Sequence, residues 1–413
     1  MGWQEKDRMK LRKEFVWQAQ KEGSNIAELC RRYSISRKTG YKWINRDKMG
    51  NENDLKDRSR KPVNSPNTLS EETIFKFIQA REKHPVWGAR KLHALLKRQF
   101  PDERFPAPST IHKKLSQQGY IKPTEKNISH LHRFEHEAPN RLWQMDFKGY
   151  FEYERGRCYP LTLLDDHSRF SIGLKASPNE QGKTIKPFLI EIFKRYGLPD
   201  RINVDNGNPW GSLYECSRYS TFSLWLIQLG VRVSYSRPGH PQTNGKDERF
   251  HRTLKLELIN NRYFKNLGHI QNCFDEWRDI YNLERPHEAI GMQVPADRYQ
   301  PSYRFYPEAL PAIAYPEDYQ IKTIDVRGRL AIEGRNVYVG MPFSKKEIGI
   351  KRLLKSEIIE IYFCHQKLGE IDLHKIPRGK MLNLYSKRML RYNYDVLPMS
   401  VNKCYLCLRA IQA

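Results

Sequence analysis

The residues best able to do chemistry are three carboxylates in different local settings. They are Asp146 in Trp143-Gln144-Met145-Asp146-Phe147, Asp205 closing Arg201-Ile202-Asn203-Val204-Asp205, and Glu248 in Glu248-Arg249-Phe250. Carboxylates suit hard Mg²⁺ or Mn²⁺, and two such ions about 4 Å apart can clamp the attacking and leaving oxygens of a phosphodiester exchange. That chemistry requires three acids to converge. Asp146 lies mid-strand between large apolar neighbours, where a charge is costly unless paired or metal-bound. Asp205 ends a short buried strand just before the Asn206-Gly207 turn, and Glu248 comes early on a long helix. At roughly 100° per residue, Arg252 and Lys255 fall within about 40° of Glu248 while Glu257 falls opposite, so one helical face offers a ligand and two phosphate contacts. Singly, each acid has an ordinary alternative, as a turn cap or a solvated helix residue. Asp165 and Asp166 are neighbours on a hairpin turn, point apart and read as turn residues. His167, His240 and His251 take no assigned role, because two-metal exchange needs no histidine base.

The elements that must position these acids are strand-rich from residue 140. Residues 142–151 alternate as a strand, and 158–164 with 170–174 flank the turn Asp165-Asp166-His167-Ser168 to complete a meander. A helix over 181–195 puts Ile185, Phe188, Leu189, Ile192 and Phe193 on one stripe and stops at Gly197. A short buried strand ending at Asp205, a helix over about 217–229, a strand over 231–235 and a long helix from Asn244 follow. The order β-β-β-α-β-α-β-α over 140–300 resembles an α/β ribonuclease H-like core with a five-stranded mixed sheet.

The N-terminal part is all-α. Leu11, Phe15, Val16 and Ala19 follow helical spacing up to Gly23; Asn25 caps a second helix with Glu28 in capping-box position and Ile26, Leu29 and Cys30 facing inward; a third begins at Ser36. The Tyr33-Ser34-Ile35 bend between short helices, with Arg37, Lys38 and Lys42 outward while Tyr41 and Ile44 pack, fits a helix-turn-helix over 1–50 whose last helix enters the major groove. A second three-helix pattern fills 69–122. It carries Ile74, Phe77 and Ile78, then Ala89, Leu92, Leu95 and Leu96, then Ser109 capping a helix with Ile111 and Leu115 inward and Lys113 and Lys114 on its open side. The segment between them, 51–68, is an extended linker whose Arg58, Arg60 and Lys61 suit a DNA minor groove. A plain solvated linker is its alternative. A second linker covers 123–139.

Beyond Pro301, a linker over 301–320 leads to short β-branched runs at 334–339, 358–363 and 368–373, expected to form a small SH3-like β-barrel over 321–376. The basic tail 377–413 has no assigned fold. The chain is therefore read as multidomain, as its 413 residues also suggest.

Lysine and arginine number 72 against 47 acids, a net charge of +25 that calls for a polyanion. No apolar run approaches the roughly 18 residues that span a bilayer, and the opening residues do not form a signal peptide, so a cytoplasmic, nucleoid-associated location is expected. The seven cysteines, at 30, 158, 216, 273, 364, 404 and 407, have no framework spacing, and disulfides are not expected. Cys404-Tyr405-Leu406-Cys407 is a single CxxC without the second pair that a structural zinc site needs.

Several stretches in sequence resemble one family. They are Ile35-Ser36-Arg37-Lys38-Thr39-Gly40-Tyr41, Asp57-Arg58-Ser59-Arg60, Trp87-Gly88-Ala89-Arg90-Lys91, Trp143 to Gly149, Asp165-Asp166-His167-Ser168-Arg169, Val204-Asp205-Asn206-Gly207, Gly239 to Gly245 through Glu248-Arg249, and Tyr281-Asn282 with Arg285-Pro286-His287-Glu288. The chain resembles a bacterial insertion-sequence DDE transposase with a retroviral-integrase-type core and two N-terminal helix-turn-helix units. The resemblance implies Asp146, Asp205 and Glu248 as the catalytic triad and ligands of two Mg²⁺, with Mn²⁺ able to substitute. It further implies cleavage at the 3′ ends of the element and strand transfer into target DNA by a homodimer or higher oligomer on double-stranded DNA. The interval from Asp205 to Glu248 exceeds the integrase spacing, and the extra length around Trp210 to Ser220 is expected to be an enlarged loop. His130, His132 and His136 lack the cysteine pair of an integrase zinc domain. The alternatives are a domesticated, catalytically silent DNA-binding regulator, against which the intact acids argue although a recently inactivated copy would keep them, and a nuclease that hydrolyses without joining, which needs neither duplicated DNA readers nor a basic terminal barrel.

Overall fold

The computed structural model describes residues 8–47, 52–57, 69–121, 135–211, 218–236, 245–353, 356–375, 378–379 and 381–385. The chain divides into two compact units, Met1–Ser70 and Glu71–Ala413. In the first, α1 (Arg8–Ala19), α2 (Ile26–Arg32) and α3 (Arg37–Arg46) enclose Phe15, Val16, Cys30, Trp43 and Leu55. Asn25 caps α2 by accepting the Ala27 and Glu28 N–H groups, and Ser36 caps α3 by accepting that of Thr39. Tyr41, expected to pack, is 49% exposed; α3 instead turns Gly40 and Trp43 inward. A Cβ on Gly40 would stand 2.5 Å from Cys30 Sγ and 3.0 Å from Phe15 Cζ, so this close helix approach needs a residue without one.

The second unit opens with α4 (Glu71–Lys83), α5 (Ala89–Gln99) and α6 (Pro108–Gln117), which bury Phe77, Leu92, Leu95, Leu96, Ile111 and Leu115. Ser109, expected as a cap, lies inside α6: Pro108 takes the first helical position, where its missing N–H costs nothing.

The central sheet follows as β1 (Trp143–Phe147), β2 (Phe151–Tyr153), β3 (Gly156–Asp165) and β4 (Ser171–Ser177). After these come α7 (Gly182–Tyr196), β5 (Arg201–Val204), α8 (Thr221–Gln228), β6 (Arg232–Tyr235), α9 (Gly245–Glu257) and α10 (Leu267–Asp279). The strand order is β2-β3-β1-β5-β6 with β4 also on β3; β1, β5 and β6 run parallel and the remaining pairs antiparallel. The sheet is mixed, as expected, but has six strands and not five. Gly149 adopts φ +85°, which breaks the run 142–151 and lets 151–153 restart as β2. Alternation along β3 sends Leu161 and Leu163 toward α7 and α8, with Ile185, Leu189, Phe193 and Leu226, and sends Cys158 and Leu164 toward α9 and α10, with Phe250, Leu254, Phe274 and Trp277. Helices thus cover both faces, and each fully buried large side chain contributes about 1.5–3 kcal/mol.

The last strands are β7 (Gln320–Thr323), β8 (Arg329–Ile332), β9 (Arg335–Tyr338), β10 (Glu347–Arg352), β11 (Ile358–Phe363), β12 (Gln366–Asp372) and β13 (Met381–Asn383). They form two sheets, β12-β11-β10-β7 and β13-β9-β8, not the closed barrel expected from sequence. Their apolar faces, with Val337, Ile348, Ile361 and Phe363, join the same cluster as Val233 and Tyr235 of β6, so packing covers them without closure. Tyr219 bridges the two parts, meeting Phe343 and Tyr385 edge-on. The stretch read as a linker over 301–320 is strapped down: Arg304 donates to the Pro199 and Gly230 carbonyls, each at 2.6 Å.

Cys30, Cys158, Cys273 and Cys364 are free thiols, whereas Cys216, Cys404 and Cys407 lie outside the described residues. So do 58–68, 122–134 and 386–413, and with them Arg58, Arg60 and Lys61. Among the described residues no helix is long and apolar enough to cross a membrane. Gly40→Ala is predicted to destabilise the first unit by about 1–3 kcal/mol through overpacking. Calorimetry would show an earlier first transition; an unchanged melt would mean that Cys30 and Phe15 can move aside.

Candidate active site

β1 and β5 pair in parallel with Gln144 opposite Asn203. Two residues further on, Asp146 and Asp205 reach facing positions at the carboxyl ends of both strands, and a step of two keeps each on the face of its register partner. That edge is where open α/β sheets gather ligands. Thr162 of β3 sits opposite Asp146 on its other side. Burial pushes the half-buried Asp146 carboxyl up to about 7, the neighbouring Asp205 charge adds to it, the Phe147 N–H opposes it, and Glu180 and Glu248 add more. Asp205 Oδ1 accepts the Gly207 N–H at 3.0 Å. Glu248 is exposed on the first turns of α9. The structure therefore brings the three acids into one electrostatic neighbourhood. Among the described residues, though, no three His, Cys, Asp or Glu side chains close around a single point. Asp205 is engaged by its own turn. The donor set, all carboxylate oxygen, fits a hard divalent cation.

The strand bearing Asp146 is braced from behind. Thr162 Oγ1 donates to the Asp146 carbonyl at 3.0 Å and lies 2.8 Å from His251 Nε2. The single hydroxyl proton is spent on the carbonyl, so His251 must donate, which fixes its tautomer. Burial, then Lys148, holds the His251 imidazole down at about 3.

Asp166 is a turn residue as read, whereas Asp165 is the last residue of β3, and both are buried. Asp165 accepts from Ser168 N (2.7 Å), Ser168 Oγ (2.6 Å) and Asn140 N (2.8 Å). Asp166 accepts from Gln144 Nε2 and His136 N, each at 3.0 Å, and pairs with Lys246, which pins the start of α9 to the β3–β4 turn. His167 Nδ1 lies 2.8 Å from the His136 carbonyl, and His240 falls outside the described residues.

The sequence reading missed two acids. Glu180, before α7, is raised by burial and by the Asp205 charge; it sits in an aperiodic loop that gives no signal. Asp247 is 2% exposed, its Oδ1 has no hydrogen-bond partner among the described residues, and burial followed by the Asp146 charge raises its carboxyl well above the usual range. A signal existed for Asp247, since it continues the buried helical stripe of Phe250 and Leu254.

Of the expected DNA contacts, Arg37, Lys38 and Lys42 are exposed on α3, and Lys113 and Lys114 on α6; Arg252 and Lys255 share the exposed face of α9 with Glu248. Because the folded His251 lies far below its unfolded value, its contribution to stability is present above pH 6.5 and is lost as pH falls toward 3. Its ring resonances in the full chain are predicted not to titrate between pH 5 and 8. A midpoint near 6.5 would show that the Thr162 contact is open to water.

Residues 136–241 and 229–295 match integrase core domain families. Residues 11–62 match a helix-turn-helix domain, 39–115 a homeodomain-like domain, and 319–377 the C-terminal domain of IS481 family transposases. A 39.2 kDa protein of insertion element IS476 from Xanthomonas euvesicatoria is 26% identical over 252 residues, 59% of this chain and 68% of its own length. The transposase of insertion sequence element IS904 from Lactococcus lactis is 33% identical over 167 residues, 40% of this chain; the match spans 63% of that relative. The HTLV-2 integrase catalytic core domain, solved with magnesium, shares 17% identity over 40% of this chain and 99% of its own, at a TM-score of 0.31. Helix-turn-helix matches ahead of integrase core matches, on a mixed sheet that carries two facing aspartates, make the chain similar to insertion-sequence transposases with an integrase-type core.

Proposed function

We propose that Asp146, Asp205 and Glu248 are the ligands of two divalent cations, Mg²⁺ with Mn²⁺ able to substitute, and that the chain cuts the 3′ ends of its element and joins them to target DNA. The observation that carries this reading is the parallel register of β1 and β5, which sets Asp146 and Asp205 at facing positions where a cation can be shared between their carboxylates. When bound, the ions activate an oxygen nucleophile, first water and then the freed 3′-hydroxyl, and relieve charge on the transferring phosphate. Asp146 supplies the rigid side of the site through its strand, and Glu248 reaches in from its helix. Arg252 and Lys255 on the same face hold DNA phosphates. Arg37, Lys38 and Lys42 on α3, Lys113 and Lys114 on α6, and the linker residues Arg58, Arg60 and Lys61 bind the terminal inverted repeats of double-stranded DNA. The working parts are 1–50 and 69–122 for DNA reading, 140–300 for catalysis and 321–376 for backbone contact. Holding two ends together calls for a homodimer or larger assembly, acting on the nucleoid in the cytoplasm.

With Mg²⁺ or Mn²⁺ the full chain is predicted to cleave and join oligonucleotides carrying the element's terminal repeats. Asp205→Asn should slow both steps by about 10³-fold, roughly 4 kcal/mol of barrier, and leave metal-free DNA binding intact. Strand transfer at the wild-type rate in that variant would remove the assignment. Lys42→Ala should weaken end binding and lower its salt slope by about 1; an unchanged slope would move the reading surface elsewhere.

A further inference from the structure

We propose that Glu257 is a positioning residue that locks the second helix-turn-helix unit, α4 to α6, onto the catalytic helix α9, so that DNA held by that unit meets the acids at a set register. The inference rests on the transposase reading above and adds a ruler to it.

Glu257 ends α9 on the side opposite Glu248, with a side chain only 9% exposed. Its carboxylate collects donors from three separate segments. Oε1 accepts Trp87 Nε1 at 3.2 Å and Arg285 Nε at 2.9 Å, and Oε2 accepts Trp277 Nε1 at 3.2 Å. Trp87 belongs to the turn between α4 and α5, Trp277 to α10, and Arg285 to the loop beyond. A buried ion pair with two extra donors is costly to separate, because either partner left alone is an uncompensated charge.

The rest of the seam is built as an interior, not as a tether. Trp87 is 1% exposed and stacks on His84 with ring centroids 3.8 Å apart and planes 7° from parallel. Arg81 Nη1 holds the Trp87 carbonyl at 2.6 Å. Ile280, from the turn that continues α10, packs into the apolar core of α4 to α6. Lys91 of α5 is brought down to about 8 by burial and the Arg285 charge, with Glu257 opposing. At the rim, Lys83 pairs with Glu284 at 2.8 Å, and Arg98 grips Asp297 with both terminal nitrogens at 2.6 and 2.9 Å. Beside the seam a cavity of about 560 Å³ is lined by Arg90, His93 and Lys97 of α5 and by Gly291 and Met292.

A DNA reader on a loose linker would deliver its end over a range of positions, and misplacement by about 1 Å can cost 100-fold in rate. A reader fused through Glu257 fixes the distance from repeat to cut. A merely structural Glu257 would lower total activity on unfolding without moving the cut.

The test maps cleavage at nucleotide resolution on end-labelled terminal-repeat duplexes with the full chain. It uses Trp87→Phe, which keeps an aromatic side chain and removes the indole donor. The expected result is unchanged end affinity, a loss of about tenfold to 100-fold at the wild-type position, and new cuts at adjacent positions. Cutting confined to the wild-type position with end binding intact would overturn the proposal. If Trp87→Phe does not fold, Glu284→Gln with Asp297→Asn, which frees the rim pairs, is read in the same way. If the wild-type chain cuts no substrate, the transposase reading fails by itself. The seam is then judged by hydrogen exchange in metal-free protein, where faster exchange of 71–99 in Trp87→Phe against unchanged β1 and β3 supports the lock and unchanged exchange overturns it.

Discussion

Asp146 and Asp205 stand at facing positions at the carboxyl ends of adjacent parallel strands, where their like charges repel, and the strand that carries Asp146 is held in place by its neighbours. Asp146 carries the cost in its raised carboxyl, with burial ahead of the Asp205 charge as the cause. A flexible loop would relieve that repulsion by moving. A strand hydrogen-bonded on both sides, with Thr162 and His251 bracing its backbone from behind, does not. Rigidity and electrostatic strain in one place are what a cation site demands.

The helix α9 connects that site to its surroundings through distinct faces. Glu248, Arg252 and Lys255 are exposed on one face; Phe250 and Leu254 anchor the helix in the sheet; Glu257 turns away to gather Trp87, Trp277 and Arg285. Lys246, paired with Asp166, ties the first turn to the β3–β4 hairpin. Movement of any one partner is therefore felt along a single helix of thirteen residues.

Much of this was legible in the residues. The caps at Asn25 and Ser36 announced themselves by side-chain type, because only a short polar side chain can meet the free N–H groups there. The two faces of α9 follow from its period. Other features were hidden for identifiable reasons. Tyr41 fits a helical stripe, but the close approach at Gly40 decides which face turns inward, and that depends on Cys30 and Phe15 from other helices. Gly149 within a run of strand-forming residues carried the break that adds β2, yet alternation on either side masked it. The terminal runs 334–339, 358–363 and 368–373 have counterparts in β9, β11 and β12, but β7, β8, β10 and β13 were not read, and the division into two sheets depends on packing against β6, which no local pattern encodes. Glu180 has no periodic context, and Glu257 could be placed only as lying opposite Glu248, because its three donors come from distant parts of the chain.

Crystals of the full chain soaked in MnCl₂ and measured at the manganese absorption edge test the central claim most directly. The account predicts two anomalous peaks about 4 Å apart, bounded by the carboxylates of Asp146, Asp205 and Glu248. Manganese bound elsewhere with no peak among these three side chains would contradict it.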